Sequence, residues 1–305
     1  MDFSLNEDQL AVADMLDKLA AQFAEKPIEH HDFVLASPEL DAELEANEFF
    51  SLAAVPELGP ISAALAVERL ARLPYAAEIA LSMLVRPHLD IELPRPFAVV
   101  ENGRPGRFVA GAKTLLVIDG DTIGIAHPES QDVAAVDTIY AYPMGKLVGN
   151  PEIKPLLAEQ AAQVKTWLRV ACAAETAGLL RAAIDCTVEH ISIRQQFGRP
   201  IGTFQALRHR MAECEVLAGG VRLLALKAAA SGDAGEAALA ALYAQESATR
   251  VAYDMHQFFG AMGMTLEMSL HLWTYRMKAL ISELGGRGGQ AATVADRCFT
   301  EESAA

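Results

Sequence analysis

Between Phe204 and Leu224, apolar side chains return every three or four residues: Phe204, Leu207, Met211, Cys214, Leu217, Val221 and Leu224. That interval matches the turn of an α-helix, so one stripe of the helix must be buried against neighbours. Leu168, Ala171, Glu175, Leu179 and Ala182 mark a long helix just before it. Ser231-Gly232-Asp233-Ala234-Gly235 interrupts the pattern, and an alanine-rich helix then runs towards Phe259. Long helices on short connections bury their stripes by packing side by side, which predicts an antiparallel bundle.

The first part of the chain also reads as helical. Ser4 is placed to cap a helix carrying Leu10, Val12, Met15, Leu16, Leu19 and Phe23. Leu65, Ala66, Leu70 and Leu73 suggest another after the Gly59-Pro60 break. The middle is different. Pro94, Pro96, Pro105, Pro128 and Pro143 separate short β-prone runs at 97–100, 108–109, 115–118, 122–125 and 138–140. Asp119-Gly120-Asp121-Thr122 fits a hairpin turn between two of them. The segment is too short for a large sheet and predicts a small β insert.

Composition narrows the function. With 25 basic and 40 acidic residues the net charge is −15, so a nucleic-acid polymer or an anionic membrane surface would be repelled. Cys172, Cys186, Cys214 and Cys298 form no C-x-x-C pair, which suits a reducing, cytoplasmic setting. No apolar run reaches the length of a membrane span, and the acidic start has no signal-peptide pattern. His30-His31 and His271 lack further ligands at metal spacing, so no metal site is expected. Gly285-Gly286-Arg287-Gly288-Gly289 follows no strand and reads as a flexible loop rather than a dinucleotide fingerprint.

Two segments carry chemistry. The first is Arg194-Gln195-Gln196-Phe197-Gly198-Arg199-Pro200-Ile201-Gly202-Thr203-Phe204-Gln205, between two long helices, with Thr203 placed to cap the second. Arg194 at a helix end suits a phosphate through charge-assisted hydrogen bonds, or it caps its own helix while Phe197 joins the core. The second is His256-Gln257-Phe258-Phe259-Gly260-Ala261-Met262-Gly263-Met264-Thr265. Its small residues let a ligand approach the backbone, or merely end a helix.

These segments, and their separation, resemble the acyl-CoA dehydrogenases. That family carries R-x-x-F-G-x-x-I-x-x-F-Q and later Q-x-x-G-G-x-G. Here stand Arg194, Phe197, Gly198, Ile201, Phe204 and Gln205, then Gln257, Gly260, Ala261 and Gly263. Met1-Asp2-Phe3-Ser4-Leu5-Asn6-Glu7-Asp8-Gln9 is similar to the family's opening, as is Ala54-Val55-Pro56-Glu57 followed by Gly59. The resemblance implies a mainly α, acyl-CoA dehydrogenase-like fold. An N-terminal helical domain (1–90) precedes a shortened β domain (91–150) and a C-terminal four-helix bundle (151–305). It implies FAD as cofactor, an acyl-CoA thioester oxidised across its α and β carbons, and an electron-transferring flavoprotein as electron acceptor. Arg194, Phe197, Gln205, Gln257, Gly260 and Ala261 then hold the adenine–pyrophosphate end of FAD across a dimer interface. Arg169 lies near the entrance for the CoA thioester.

The departures are specific. T-E-x-x-x-G-S-D, which covers the flavin ring in the family, is absent, and Ala261 replaces a glycine. The catalytic base should be a carboxylate, yet the two usual positions hold Leu284 and Leu168. Glu283 stands one residue early, which on a helix points it about 100° away. Glu175 lies about two turns beyond Leu168 and reads either as a displaced base or as a partner of Arg169 or Arg181. A chain keeping the adenine motifs without ring cover or base resembles one subunit of the bacterial heteromeric enzymes linked to steroid degradation. Met264-Thr265-Leu266-Glu267-Met268 and His271-Leu272 are similar to that group. The expectation is the base-lacking subunit of an α2β2 assembly with a longer paralogue. The alternatives are a self-sufficient dehydrogenase with a displaced base, and a flavin-free scaffold that binds a partner or a CoA ester.

Overall fold

The computed structural model of this chain describes residues 4–26, 33–89, 91 and 93–298. Helices α1 (Glu7–Ala24), α2 (Pro38–Ala46), α3 (Gly59–Ala71) and α4 (Ala80–Leu84) come first. The cap of α1 is Asn6, not Ser4. Asn6 accepts from the Gln9 amide while the Gln9 side chain accepts from the Asn6 amide, so two otherwise unpaired donors are satisfied reciprocally.

Seven short strands follow: β1 (Phe97–Glu101), β2 (Gly106–Arg107), β3 (Thr114–Asp119), β4 (Thr122–Ala126), β5 (Val133–Ala135), β6 (Met144–Leu147) and β7 (Lys154–Pro155). They form two sheets, ordered β1-β3-β4-β7 and β2-β6-β5, with β1 parallel to β3. Asp119 pairs with Thr122 across the expected tight turn, where Gly120 takes a φ of 56°. Two expected strands do not form. Phe108 is left-handed and Val109 begins a 3-10 turn, so the strand there is Gly106–Arg107 instead. Residues 138–140 are bent, and the pairing falls to β5 and β6. The sheet ends at Pro155, past the boundary of 150 read from the sequence.

The remainder is a bundle. α5 (Ala158–Ile193) leads through the tiny hairpin β8 (Gln195–Gln196) and β9 (Arg199–Pro200) to α6 (Gln205–Ser231). Gly232, left-handed, ends α6, and the Asp233 side chain caps α7 (Ala234–Phe259). α8 (His271–Leu280) and α9 (Gly286–Cys298) complete it. The glycine-dense stretch after Leu284 is thus the first turn of α9 rather than a flexible loop, and Arg287 is paired with Glu246. Thr203 does not cap α6, since its hydroxyl donates to the Pro200 carbonyl. His30, His31, Met1–Phe3 of the opening segment and the last seven residues lie outside the described residues. Among the described residues, no helix is long and apolar enough to cross a membrane.

One core runs through the N-terminal helices and the bundle. α5 is buried almost all round because its centre is built from Ala171, Ala173, Ala174, Ala177, Ala182 and Ala183. At Gly178 the backbone of α3 comes so close that an added Cβ would stand 2.1 Å from the Glu68 carbonyl oxygen. The end of α3 is tied to the bundle by Arg276, which donates to the carbonyls of Leu73 (2.7 Å) and Tyr75 (2.8 Å).

Gly178→Ala should overpack the α3–α5 contact and lower stability by about 1–3 kcal/mol, read from urea unfolding. A second outcome concerns His88, whose ring stacks on Trp167 at 3.8 Å. Burial lowers its pKa from 6.5 to about 4. The neutral ring therefore stabilises the fold above pH 6.5, and this contribution disappears as pH falls through 4. After screening at this half-buried ring it is on the order of 1–2 kcal/mol. His88→Asn should flatten that part of the stability curve between pH 7 and 4, measured by urea midpoint.

Candidate functional site

Leu168 and Leu284, the leucines expected from the resemblance at the base positions, line one cavity of about 110 Å³ between the sheets, α5 and the turn after α8. Leu168 comes from α5. Leu284 comes from the turn, where its φ of 56° breaks the helical count. Both candidate carboxylates, Glu175 and Glu283, reach the same cavity. The angular argument from a continuous helix therefore fails for Glu283, because the chain is not helical at Leu284.

Neither carboxylate is free. Arg107, from β2, donates through Nε to Glu283 Oε1 (2.6 Å) and through Nη2 to Oε2 (3.1 Å). Its Nη1 lies 3.1 and 2.9 Å from the two oxygens of Glu175. The Tyr142 hydroxyl donates to Glu175 Oε1 at 2.6 Å. The expected partners of Glu175 are engaged elsewhere: Arg181 pairs with Asp185 and Glu215, and Arg169 with α9. Burial opposes the Arg107 charge, but Glu175 and Glu283 hold its pKa well above the ordinary range. Burial and the Glu175 charge push the Tyr142 phenol up likewise. The Cys172 thiol, on the cavity wall, is pushed up to about 12 by burial and by Glu283.

The Leu284 turn is held by side chains that sequence reasoning missed. Gln245, fully buried, donates to the carbonyls of Leu280 (2.9 Å) and Glu283 (3.0 Å). Gln290 donates to the Leu284 carbonyl, and Glu101 accepts from the Leu284 amide, both at 2.9 Å. Arg169 donates to Gln290 (2.7 Å) and Thr293 (3.0 Å), so its guanidinium buttresses this turn and does not line the cavity.

The other candidates sit at the far end of α5. From Glu175 to Arg194 that helix runs about 28 Å. His190 on α5 stacks on Phe259 of α7 at 4.1 Å, which brings the 194–205 segment and the 256–265 segment to one end of the bundle. Arg194 is exposed and makes no ion pair or side-chain hydrogen bond among the described residues. Phe197 is left-handed and 89% exposed, touching Phe204 only edge-on, so it is not a core residue. Gln257 is exposed; Gln205 is exposed with its amide 3.3 Å from His209 Nε2. Gly260 has a φ of 62° with open space around its Cα. Ala261 has no positive φ, so the missing glycine costs nothing there.

Residues 159–299 match the family described as acyl-CoA dehydrogenase, C-terminal domain. This segment is similar to the C-terminal domain of the acyl-CoA dehydrogenases. The chain is 30% identical to acyl-CoA dehydrogenase FadE34 of Mycobacterium tuberculosis over 207 residues, covering 63% of this chain and 29% of that protein. It is 36% identical to acyl-CoA dehydrogenase IpdE2 of Mycolicibacterium smegmatis over 113 residues, 37% of this chain and 36% of IpdE2. The matched stretches thus span about a third of these relatives' own lengths. The fold match is broader. The ChsE4-ChsE5 complex from M. tuberculosis aligns over 97% of this chain and 98% of that one, with a TM-score of 0.74 at 21% identity. A glutaryl-coenzyme A dehydrogenase–glutaryl-CoA complex aligns over 97% and 96%, with a TM-score of 0.75 at 19% identity. The chain therefore has the acyl-CoA dehydrogenase fold from end to end, mainly α with a small β region.

Gln245→Ala should remove a buried side-chain donor from the Leu280 and Glu283 carbonyls and lower stability by about 1–3 kcal/mol, read from urea unfolding. Amide exchange over residues 281–286 should quicken more than over α6. Equal exchange in both segments would show that Gln245 does not hold the turn.

Proposed function

We propose that the chain is the base-lacking subunit of a heteromeric, FAD-dependent acyl-CoA dehydrogenase. FAD supplies the two-electron oxidation of an acyl thioester across its α and β carbons. The two ends of an FAD site fare differently here. At the outer end Arg194 offers an unpaired guanidinium for a pyrophosphate, the Phe197 ring is exposed for an adenine, and the Gly260 backbone is open to a ligand. This donor set fits. At the ring end the cavity of about 110 Å³ is well below the roughly 300–1,000 Å³ of small-molecule sites. Arg107, Glu175, Glu283 and Tyr142 are already bonded to one another. The ring and the thioester do not fit there, so no proton abstraction is assigned to this chain.

The observation that carries the reading is the state of Glu175 and Glu283. A general base must present an oxygen to the α-proton, and all four oxygens of these carboxylates face Arg107, which is only 10% exposed. A self-sufficient enzyme with a displaced base would therefore find neither Glu175 nor Glu283 free in this cavity. A longer acyl-CoA dehydrogenase paralogue would supply the ring site and the base. This chain's Arg194, Phe197, Gln257 and Gly260 would close the adenine end from across the interface. Acyl-CoA is then the substrate of the assembly, and an electron-transferring flavoprotein its electron acceptor. The relatives FadE34 and IpdE2 and the ChsE4-ChsE5 complex support this reading.

The deciding measurement is the visible absorption spectrum of the purified chain, alone and co-expressed with a longer relative encoded beside it. Flavin colour should appear only in the complex, and Arg194→Gln in this chain should weaken its retention by roughly tenfold, the loss of one charge-assisted contact. Yellow protein from the chain alone, or an unaided homodimer that oxidises acyl-CoA, rejects the proposal. No flavin in either preparation favours a scaffold.

A further inference from the structure

Three elements that could separate meet at Arg107. β2 belongs to the sheets, Glu175 to α5, and Glu283 to the turn after α8. Gly106, beside Arg107, lies so close to β1 that an added Cβ would stand 2.1 Å from the Val99 carbonyl oxygen. That contact presses β2 against β1 and feeds Arg107 towards the bundle. There its Nε, Nη1 and Nη2 are spread over four carboxylate oxygens at 2.6–3.1 Å, with the Tyr142 ring 4.7 Å from the guanidinium carbon. The side chains of Arg107 and Glu175 are 10% and 4% exposed. Ile79, Leu81, Val99, Leu168 and Leu284 supply the apolar part of the walls around them, beside Glu78, Glu101 and Arg104. Charges so buried survive only when paired, so the guanidinium and its two carboxylates hold one another in place.

We infer that Arg107 is an internal plug: its guanidinium fills the carboxylate fork of the cleft, clamps the sheets onto the bundle and keeps flavin ring and thioester out. The identity of the cleft rests on the function proposed above, but the clamp is a property of this chain alone. Without Arg107, no guanidinium stands between Glu175 and Glu283, and Glu175 keeps only its hydrogen bond from the Tyr142 hydroxyl. Their repulsion and their demand for water open the cleft between β2 and α5. The remainder of the bundle, including the α6–α7 contact around Cys214 and Asp254, has no share in the fork and stays closed.

Cys172 reports on this directly, because it is buried and lines the cavity, while Cys214 is buried between α6 and α7. The full-length chain, Arg107→Met and Glu283→Gln are labelled with N-ethylmaleimide near neutral pH and the cysteines read separately by peptide mass spectrometry. Arg107→Met should raise the Cys172 rate by ~10-fold or more relative to Cys214, as expected for local rather than global opening. Glu283→Gln, which leaves the Glu175 pair intact, should raise it less but in the same direction, and it carries the test if Arg107→Met does not fold. An unchanged Cys172 rate, or equal acceleration at Cys172 and Cys214, overturns the plug. A co-expressed complex without flavin would reject the subunit proposal and leave this labelling result standing.

Discussion

Everything in this chain is arranged around the close packing of α5. Its 36 residues extend about 54 Å, through the whole bundle. Alanines and Gly178 let neighbouring backbones approach where larger side chains would hold them off. One face meets α3, another α6 and α7, and its middle forms a wall of the cleft. The same rod carries Leu168 and Glu175 at the cleft, Arg169 against α9, and Arg194 at its end. The separation between the cleft and Arg194 is therefore a rigid property of one helix.

That rigidity divides the molecule into a closed half and an open half. In the cleft, polar groups answer one another: Arg107 to Glu175 and Glu283, Tyr142 to Glu175, Gln245 and Gln290 to the carbonyls of the Leu284 turn. At the far end they do not. Arg194 is unpaired among the described residues, Phe197 stands in solvent, and Gly260 leaves its backbone open. Exposed aromatic and cationic groups without partners in the chain are what a completing ligand or subunit recognises. The Arg107–Glu175–Glu283 cluster, already bonded together, offers it little.

The helices were legible because their stripes repeat over many turns. Gly232 and Asp233 end α6 and begin α7 at the interruption expected from sequence. The hairpin at Gly120 was legible because positive φ demands such a residue. Short strands were harder. At 108–109 the left-handed Phe108 overrides two β-prone side chains; its amide donates to the Pro143 carbonyl and its ring packs edge-on against Tyr142, and these contacts outweigh propensity. In the site, Leu168 and Leu284 could be placed by counting from motifs. The partner of Glu175 could not, since Arg107 is 68 residues away and nothing near it in sequence marks it.

By itself, then, the sequence determined the helical architecture and the small β insert, and singled out the 194–205 and 256–265 segments and the leucines at 168 and 284. Each of these is local, written in periodicity or in a run of a few residues. Only the tertiary structure decided what the remaining carboxylates do. Ion pairing depends on which charges the fold brings within about 3 Å of each other. The fold joins a residue of a two-residue strand to the middle of α5 and to a turn near the chain's end. That single meeting turns two candidate bases into the two arms of a clamp.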